Sequence, residues 1–270
     1  MYTLEPDFPY TMPTCSWFRE PRPWEQGGMH YGKVSVLSVS FVTDYDMAGR
    51  LLPEPFRPAD EPVVSVSLAV NEEVAWLAGR AYNIVGVDVA AIFDGEVDRD
   101  VQGSFCVVMW EDMTEPILGG RDHSGVPKVF GDIPNPTEEA GTWRGSLSHF
   151  GHPIMEMAVS GLTPLAAEAR AELERARREG NWMNYKYIPR VENDGADVSY
   201  ALIYPTSGTC TAAWEGQGTI RFYRSSFEQN PTQYKVINLL ADLPIHKVTT
   251  ARRTVWEPLM NLDRLPQRLR

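Results

Sequence analysis

Cysteine and long apolar runs are scarce in this chain of 270 residues. The three cysteines, Cys15, Cys106 and Cys210, lie far apart and form no CxxC pair or Cys/His cluster, which argues against a disulfide framework or a structural zinc site. Cys106 lies in an apolar run, where burial keeps a thiol protonated, so we predict a core residue rather than a nucleophile. No apolar run approaches the roughly 20 residues of a membrane helix, and the N-terminus shows no signal-peptide pattern. We therefore expect a cytoplasmic protein with no membrane partner.

Basic residues are in the minority, with 25 Lys and Arg against 36 Asp and Glu and a formal net charge of -11. Because an acidic chain repels phosphate backbones, we expect no nucleic-acid partner. Walker, GxGxxG, HExxH, GxSxG and EF-hand motifs are missing, so we predict no cofactor and no metal. His149 and His152 flank Phe150-Gly151, and we interpret this stretch as a hairpin tip. Half of a metal site is the alternative, but it has no third ligand in register.

Apolar residues make up 43% of the chain, and the 21 Pro and 21 Gly supply many turns. This composition is that of a globular protein with one large core, and it favours β-rich architecture. Residues 1–32 are rich in Pro, Gly and aromatics, and we predict an irregular arm that forms an interface with the domain or a neighbouring subunit. Residues 33–270 contain no linker or repeat, so we predict a single domain there.

Period-two alternation of apolar side chains predicts strands, and caps with 3.6-residue spacing predict helices. The predicted strands cover residues 34–42, 62–70, 81–92, 103–110, 185–188, 198–203, 218–223 and 247–256, with a hairpin over 143–160. The predicted helices cover residues 45–52, a long segment after Thr163 that ends at Gly180, and 233–240. Thr163 is expected to cap the long helix and Pro164 to lie in its first turn. The sum indicates a mainly β (α+β) protein, a closed or nearly closed β-barrel with helices outside.

Lysine is rare, and Lys128 stands among apolar neighbours, Gly125-Val126-Pro127 before it and Val129-Phe130 after it. An amine in an apolar site loses solvation of its charged form, so some free amine exists at neutral pH. A free amine can attack a ketone and form a Schiff base, whose iminium supports decarboxylation, aldol cleavage or dehydration. The alternative is an ordinary loop lysine with its ammonium group in water.

The run Gly119-Gly120-Arg121-Asp122-His123-Ser124-Gly125-Val126-Pro127-Lys128 resembles the active-site signature of the acetoacetate decarboxylase family. Other segments resemble family motifs in the same order, and the similarity spans roughly residues 34–258. These segments are Thr43-Asp44, residues 51–55, residues 181–189 and residues 243–248. The resemblance implies a cone-shaped β-barrel, a homo-oligomer, and a buried Schiff-base lysine at Lys128. A lysine activated in this way is a known example from this family's enzyme.

The chain departs from the family pattern at four places. Val129 stands where decarboxylases of the family carry a second lysine, and Ile84 or a neighbour stands where they carry a Glu. A second family Glu falls in residues 64–67, which contain none, and Lys33 lies where an Arg is expected. We therefore predict a more apolar pocket, in which desolvation activates Lys128.

Further site residues are predicted around Lys128. Arg121 is a candidate for pairing with a substrate carboxylate, or structurally with an acid such as Asp122. Asp122 is a candidate general acid/base, or a group that orients Arg121. Tyr82 either donates a hydrogen bond to substrate or fills the barrel. Ile84, Met109 and Val129 complete the predicted substrate-binding set, although Met is most often packing.

These observations favour a Schiff-base-forming lyase that acts on a keto acid or ketone through Lys128, with aldolase-dehydratase or related chemistry. One alternative is a decarboxylase of acetoacetate or another β-keto acid. The other is a non-catalytic binding protein that kept the barrel. The sequence leaves the substrate, the pathway and the subunit count open.

Overall fold

The computed structural model describes residues 29–257, 259–260 and 266–270. Most of the predicted N-terminal arm, residues 1–28, lies outside the described residues, as does Cys15. Residues 29–32 belong to the first strand.

Fifteen strands of the described chain join one sheet. In chain order they are β1 (Met29–Val42), β2 (Phe56–Pro58), β3 (Val63–Val74), β4 (Arg80–Phe93), β5 (Val101–Glu111), β6 (Lys128–Phe130), β7 (Thr137–Glu139), β8 (Thr142–His149), β9 (His152–Pro164), β10 (Trp182–Pro189), β11 (Ala196–Tyr204), β12 (Thr209–Phe222), β13 (Lys247–Glu257), β14 (Leu259–Met260) and β15 (Gln267–Arg268). The helices are α1 (Tyr45–Gly49), α2 (Thr114–Asp122), α3 (Ala167–Glu179) and α4 (Tyr234–Ala241), with a 3-10 turn over Ala75–Leu77. Within the described ranges, no helix has the length and apolar character needed to cross a membrane.

The sheet runs in the order β15-β11-β10-β5-β4-β3-β1-β13-β12-β9-β8-β7. Most pairs are antiparallel, but β5 pairs in parallel with both β10 and β6. The sheet is not closed by a full strand pair. Two backbone hydrogen bonds between Asp132 and Ser148 join the segment after β6 to β8, so this segment bridges β5 to the far side of the sheet. The prediction of a mainly β architecture is confirmed, but the sheet of the described residues is open, and this short bridge is not a strand pair that closes it into a barrel.

Alternation along the strands separates two faces. One face buries the main core, which α1 and α4 also enter, and β1, β3 and β4 supply much of it. Its members from these strands include Leu37, Val39, Phe41, Val64, Val66, Leu68, Val85, Val87 and Val89. The opposite face of the same strands carries smaller and polar side chains, among them Ser67 and Gly86, which lie across from each other in β3 and β4. Lys128 projects from this second face.

The predicted strands are confirmed, most with longer bounds, and so is the hairpin whose tip lies at Phe150-Gly151. The long helix begins later than predicted, because β9 continues to Pro164 and α3 begins only at Ala167. Thr163 does not cap that helix. It pairs with Glu215 of β12, and its hydroxyl donates to the Glu215 carbonyl at 3.2 Å. Gly180 ends α3 as predicted.

Helix α2 was not predicted, because Gly119-Gly120 and the nearby prolines indicated a turn-rich segment. Glycine weakens a helix by about 1 kcal/mol relative to alanine. The structure gives the reason for Gly120. A Cβ built there would lie 2.3 Å from Lys128 Cε, so only glycine lets α2 pack this closely on the lysine.

Candidate active site

Lys128 lies at the start of β6, opposite Met109 in the parallel pair with β5. Its Nζ is 2.7 Å from Glu111 Oε1 and donates to the Pro116 carbonyl at 3.1 Å. The Lys128 side chain is 12% exposed and that of Glu111 is 0% exposed, so both charges are largely removed from water. A lysine and a carboxylate in such contact form a buried ion pair next to the first turn of α2.

The Glu111 carboxyl group lies in a site that disfavours its charged form. Burial raises the pKa of the Glu111 carboxyl, and the positive charge of Lys128 opposes that rise. Neither carboxylate oxygen makes a hydrogen bond of good geometry within the described residues, so Lys128 is the only charge compensation that the structure shows there. A carboxyl group with a raised pKa, in contact with an amine, is suited to transfer protons near neutral pH.

Two tyrosines lie near this pair. Tyr82 is 4% exposed, and its hydroxyl lies 3.3 Å from that of Tyr31. Desolvation raises the pKa of Tyr82 well above its usual value, and the charges of Tyr31 and Glu111 raise it further. The Tyr82 hydroxyl therefore stays protonated and can act as a hydrogen-bond donor.

Helix α2 fixes the position of the lysine. Arg121 lies in its last turn and donates from Nη1 to the Lys128 carbonyl at 2.9 Å. Gly120 packs directly on the lysine side chain, since a Cβ there would lie 2.7 Å from Nζ. The signature run therefore works as one unit, in which the helix end holds both the main chain and the side chain of Lys128.

The structure brings part of the predicted site together. Tyr82, Ile84 and Met109 alternate onto the strand face that carries Lys128, and Ile84 lies directly across from Glu111. Val129 lies on the opposite face, where it packs against the main core.

The two predicted charged partners lie elsewhere. Arg121 is exposed and binds the main chain of Lys128. The charge of Asp122 acts on Lys186, whose Nζ donates to the His123 carbonyl at 3.1 Å. Lys33, considered as a replacement for a family arginine, forms an exposed ion pair with Glu72 at 2.8 Å.

Sequence reasoning missed Glu111. The predicted strand ended at Trp110, one residue short, and the acid expected from the resemblance was sought at Ile84. Because Ile84 and Glu111 are cross-strand partners, the carboxylate comes from β5 instead of β4 and reaches the same place. A glutamate at the end of the apolar run Phe105-Cys106-Val107-Val108-Met109-Trp110 is the signal that would have found it.

A second carboxyl group, partly buried, lies on the same face. Asp88 pairs with Cys106 across β4 and β5, and its Oδ1 accepts a hydrogen bond from Trp182 Nε1 at 3.1 Å. Desolvation raises the Asp88 pKa from 3.8 to about 6. Cys106 is fully buried, as predicted, and desolvation raises its thiol pKa well above the usual value.

Asp88 makes stability depend on pH. Because its pKa is raised in the folded state, the native chain binds more protons than the unfolded chain between about pH 4 and pH 6, and stability falls as pH rises through that window. We expect Asp88→Asn to remove this slope and to raise the free energy of unfolding at pH 7 by about 1–3 kcal/mol. Urea unfolding at pH 4.5 and 7 measures both effects. Asp60→Asn, at an exposed aspartate, is the control, and an equal pH slope in wild type and Asp88→Asn would contradict the assignment.

The described residues also form two clefts. One has a volume of about 340 Å³ and lies between residues 50–53, residues 105–107, Pro127 and Tyr185. The other, of about 110 Å³, includes His123, Ser124 and Tyr204. Neither is lined by Lys128 or Glu111, so the ion pair lies beneath the surface and not in either cleft. The candidate site is therefore the group of residues in contact with the Lys128–Glu111 ion pair.

The described residues contain no group of three His, Cys, Asp or Glu side chains that could hold a metal ion. His149 Nδ1 lies 2.8 Å from Asn230 Oδ1, which ties the hairpin tip to the loop before α4. The hairpin interpretation of His149 and His152 is therefore confirmed.

Comparisons with known proteins agree with this fold. A family model described as acetoacetate decarboxylase (ADC) matches residues 11–259. An acetoacetate decarboxylase from Chromobacterium violaceum is 25% identical over 253 residues, which cover 94% of this chain and 92% of that protein.

Solved structures show the same architecture. Acetoacetate decarboxylase from Legionella pneumophila has a TM-score of 0.73 at 20% identity, covering 97% of this chain and 93% of that one. The enduracididine biosynthesis enzyme MppR, solved with pyruvate, has a TM-score of 0.68 at 17% identity, covering 97% of each chain. The class is therefore that of acetoacetate decarboxylase-like proteins.

Because the family model spans most of its length, this chain belongs to the acetoacetate decarboxylase family. The resemblance found in the sequence is confirmed, and family membership supports an enzyme of the lyase type.

Proposed function

We propose that the protein is a Schiff-base lyase that joins a keto acid to an aldehyde, with Lys128 as nucleophile and Glu111 as general acid/base. The observation that carries this proposal is the buried contact of 2.7 Å between Lys128 Nζ and Glu111 Oε1. Tyr82 serves as a hydrogen-bond donor to the substrate oxygen. Glu111 takes the general acid/base role for which Asp122 was a candidate, because Glu111 contacts Lys128 whereas the charge of Asp122 acts on Lys186.

The first stage forms the imine. Glu111 accepts a proton from the Lys128 ammonium, and the free amine adds to the ketone carbon of the substrate. Protonated Glu111 then gives a proton to the departing hydroxyl group, which leaves as water, and the C=N bond forms. The iminium group withdraws electrons from the carbon next to the C=N carbon, so a C–H bond on that α-carbon becomes acidic.

The second stage uses the same carboxylate. Glu111 removes a proton from the carbon next to the iminium to give an enamine, which attacks the aldehyde carbon. The new alkoxide takes the proton from Glu111. Loss of a further α-proton and of the hydroxyl group as water gives the unsaturated product, and hydrolysis of the iminium releases it and restores Lys128.

A base beside the lysine favours this chemistry over simple decarboxylation. Loss of carbon dioxide from an iminium needs no base, whereas enamine formation by C–H abstraction does. A structure of the same fold, MppR, has been solved with the condensation product of pyruvate and imidazole 4-carboxaldehyde. Pyruvate and an aromatic aldehyde are therefore the first substrates to assay.

Decarboxylation of a β-keto acid is the second candidate. It is favoured by the acetoacetate decarboxylase of Chromobacterium violaceum, which matches 94% of this chain. The same lysine would form the imine in both reactions, so the candidates differ only in the steps after imine formation.

Borohydride trapping tests the proposed lysine. We expect reduction in the presence of pyruvate or acetoacetate to fix an adduct that peptide mapping places on Lys128. Lys33→Gln, which changes an exposed lysine, should be labelled like the wild type. A label on another lysine, or none with any of several keto acids, would refute the assignment.

Product analysis of the same samples separates the two reactions. We expect a condensation product with water loss from pyruvate and an aromatic aldehyde, and little carbon dioxide from acetoacetate. Carbon dioxide release at roughly 10 per second or more, a typical enzymic rate, would favour the decarboxylase instead.

A further inference from the structure

A buried amide near the site has no hydrogen-bond partner. Asn184 in β10 is 0% exposed, and neither Nδ2 nor Oδ1 makes a hydrogen bond within the described residues. Buried side-chain amides are normally satisfied, because an unpaired polar group keeps its full desolvation penalty. Asn83, another buried asparagine, shows the usual arrangement, since its Nδ2 donates to the Ile133 carbonyl at 2.9 Å and to Asn135 Oδ1 at 2.8 Å.

The sheet register places Asn184 on the face that carries Lys128. Trp182 shares a face with Asn184 by strand alternation, and its indole reaches Asp88 on that face. Trp182 and Met183 pair with Ser104 and Phe105 of β5, and Asn184 and Cys106 are the next residues of these two parallel strands.

The amine lies within reach of a small substrate placed there. Lys128 pairs with Met109. A bulge at Val107 leaves Met109 and Cys106 opposite Gly86 and Asp88, which are two residues apart on β4 and share a face, so the span is about 7 Å along the strand. The charges of both Lys128 and Glu111 act on the Cys106 thiol. The loop that leads to Lys128 also touches β10, because a Cβ at Gly125 would lie 2.5 Å from Lys186 Cβ. An extended lysine side chain and a keto acid of three or four carbons together cover this span.

We infer that Asn184 is a substrate-binding residue whose Nδ2 donates to the carboxylate of the keto acid held as an imine on Lys128. This inference rests on the proposed function. Arg121, the carboxylate partner considered from the sequence, is already bound to the Lys128 carbonyl, and Lys186 to that of His123. The Asn184 Nδ2 group has two N–H donors without a partner among the described residues, and it carries no charge. It can therefore donate to the substrate carboxylate while Lys128 and Glu111 stay paired.

The Oδ1 atom of Asn184 can bind a second group of the substrate. Oδ1 needs a donor, and the aldol adduct of a keto acid carries a hydroxyl group that can supply one. The substrate class is therefore a keto acid with a free carboxylate, in preference to a neutral ketone.

The test compares wild type with Asn184→Leu, which keeps the side-chain volume and removes the polar atoms. Borohydride trapping is run over a range of concentrations of pyruvate and of acetone, which lacks the carboxylate. We expect the half-saturating pyruvate concentration to rise about tenfold or more in Asn184→Leu, the worth of a hydrogen bond to a charged group. The value for acetone should change less than about twofold. Equal behaviour of the two proteins with pyruvate would overturn the inference.

A second measurement does not depend on imine formation. Oxamate has the shape and carboxylate of pyruvate, but its amide carbonyl does not condense with lysine. We expect oxamate to raise the Tm of wild type and not that of Asn184→Leu, and an equal rise in both would overturn the role of Asn184. Failure of wild type to form any adduct, with the oxamate difference intact, would refute the imine proposal alone.

Melting without ligand shows whether Asn184 is merely structural. Because its amide has no hydrogen-bond partner in the part of the chain that the structure describes, Asn184→Leu should keep or raise the Tm, by up to about 2–6 °C. Asn83→Leu breaks satisfied bonds and should lower it. A Tm loss in Asn184→Leu as large as that in Asn83→Leu would show a structural role and contradict the assignment.

Discussion

Lys128→Met is expected to abolish both adduct formation and turnover, and also to destabilise the protein. The variant leaves Glu111 buried without its positive partner, and breaking a buried pair in this way costs about 3–5 kcal/mol. Burial already raises the pKa of Glu111, and loss of Lys128 raises it further. The folded state of the variant therefore prefers the protonated carboxyl, so its free energy of unfolding should fall as pH rises above the usual glutamate range.

A double-mutant cycle separates catalysis from stability. Replacing a buried ion pair by apolar side chains of similar volume is often neutral or stabilising. Lys128→Met with Glu111→Leu should therefore recover most of the lost stability and remove the pH dependence that the unpaired Glu111 adds in Lys128→Met. Turnover should stay at background. Urea unfolding at pH 5 and pH 8 and the condensation assay measure the two properties. Recovery of turnover in the double variant, or a stable Lys128→Met single variant at pH 8, would contradict the buried-pair description.

Glu111→Leu alone completes that cycle, and the separate variant Glu111→Gln tests the proton transfer of the carboxyl group. Glu111→Gln keeps the shape of the side chain but cannot transfer protons. Because general acid/base catalysis contributes about 10²–10⁴-fold in rate, turnover should fall by that factor. Adduct formation by borohydride should be retained, at a slower rate, because Lys128 remains.

Gly120→Ala is expected to lower turnover by about 100-fold while leaving the chain folded. The added Cβ would lie 2.3 Å from Lys128 Cε and 2.7 Å from Nζ, so the flexible lysine side chain must move away from Glu111. A displacement of about 1 Å in a catalytic group can cost 10²-fold in rate. The rate of borohydride trapping and the rate of condensation should fall together.

Gly49→Ala provides the matched control. Gly49 is likewise a glycine in the last turn of a helix, α1, but a Cβ there would lie 3.7 Å from Pro58 Cγ, which is an ordinary contact. Turnover and trapping should be unchanged in this variant. Wild-type activity in Gly120→Ala would show that α2 does not hold the lysine in place.

Local sequence patterns predicted most of the sheet correctly. Strands β1, β3, β4 and β5 show their buried faces as alternating apolar residues, and this period-two signal does not depend on distant contacts. The end of β9 at Pro164 and the whole of helix α2 around Gly120 were missed because they depend on contacts with distant parts of the chain. β9 continues through Pro164 because β12 pairs with it, and α2 forms around two glycines because the helix must pack on Lys128.

The sequence by itself determined the family, the mainly β fold and the candidate lysine, because these depend on short motifs and on periodicity along single strands. Tertiary structure decided which groups surround that lysine. Glu111 contacts Lys128, Arg121 binds the main chain, Val129 packs against the core, and Asn184 has no hydrogen-bond partner among the described residues. The register between β4, β5, β6 and β10 sets these relations, and a shift of one residue in any pair would move a side chain to the other face.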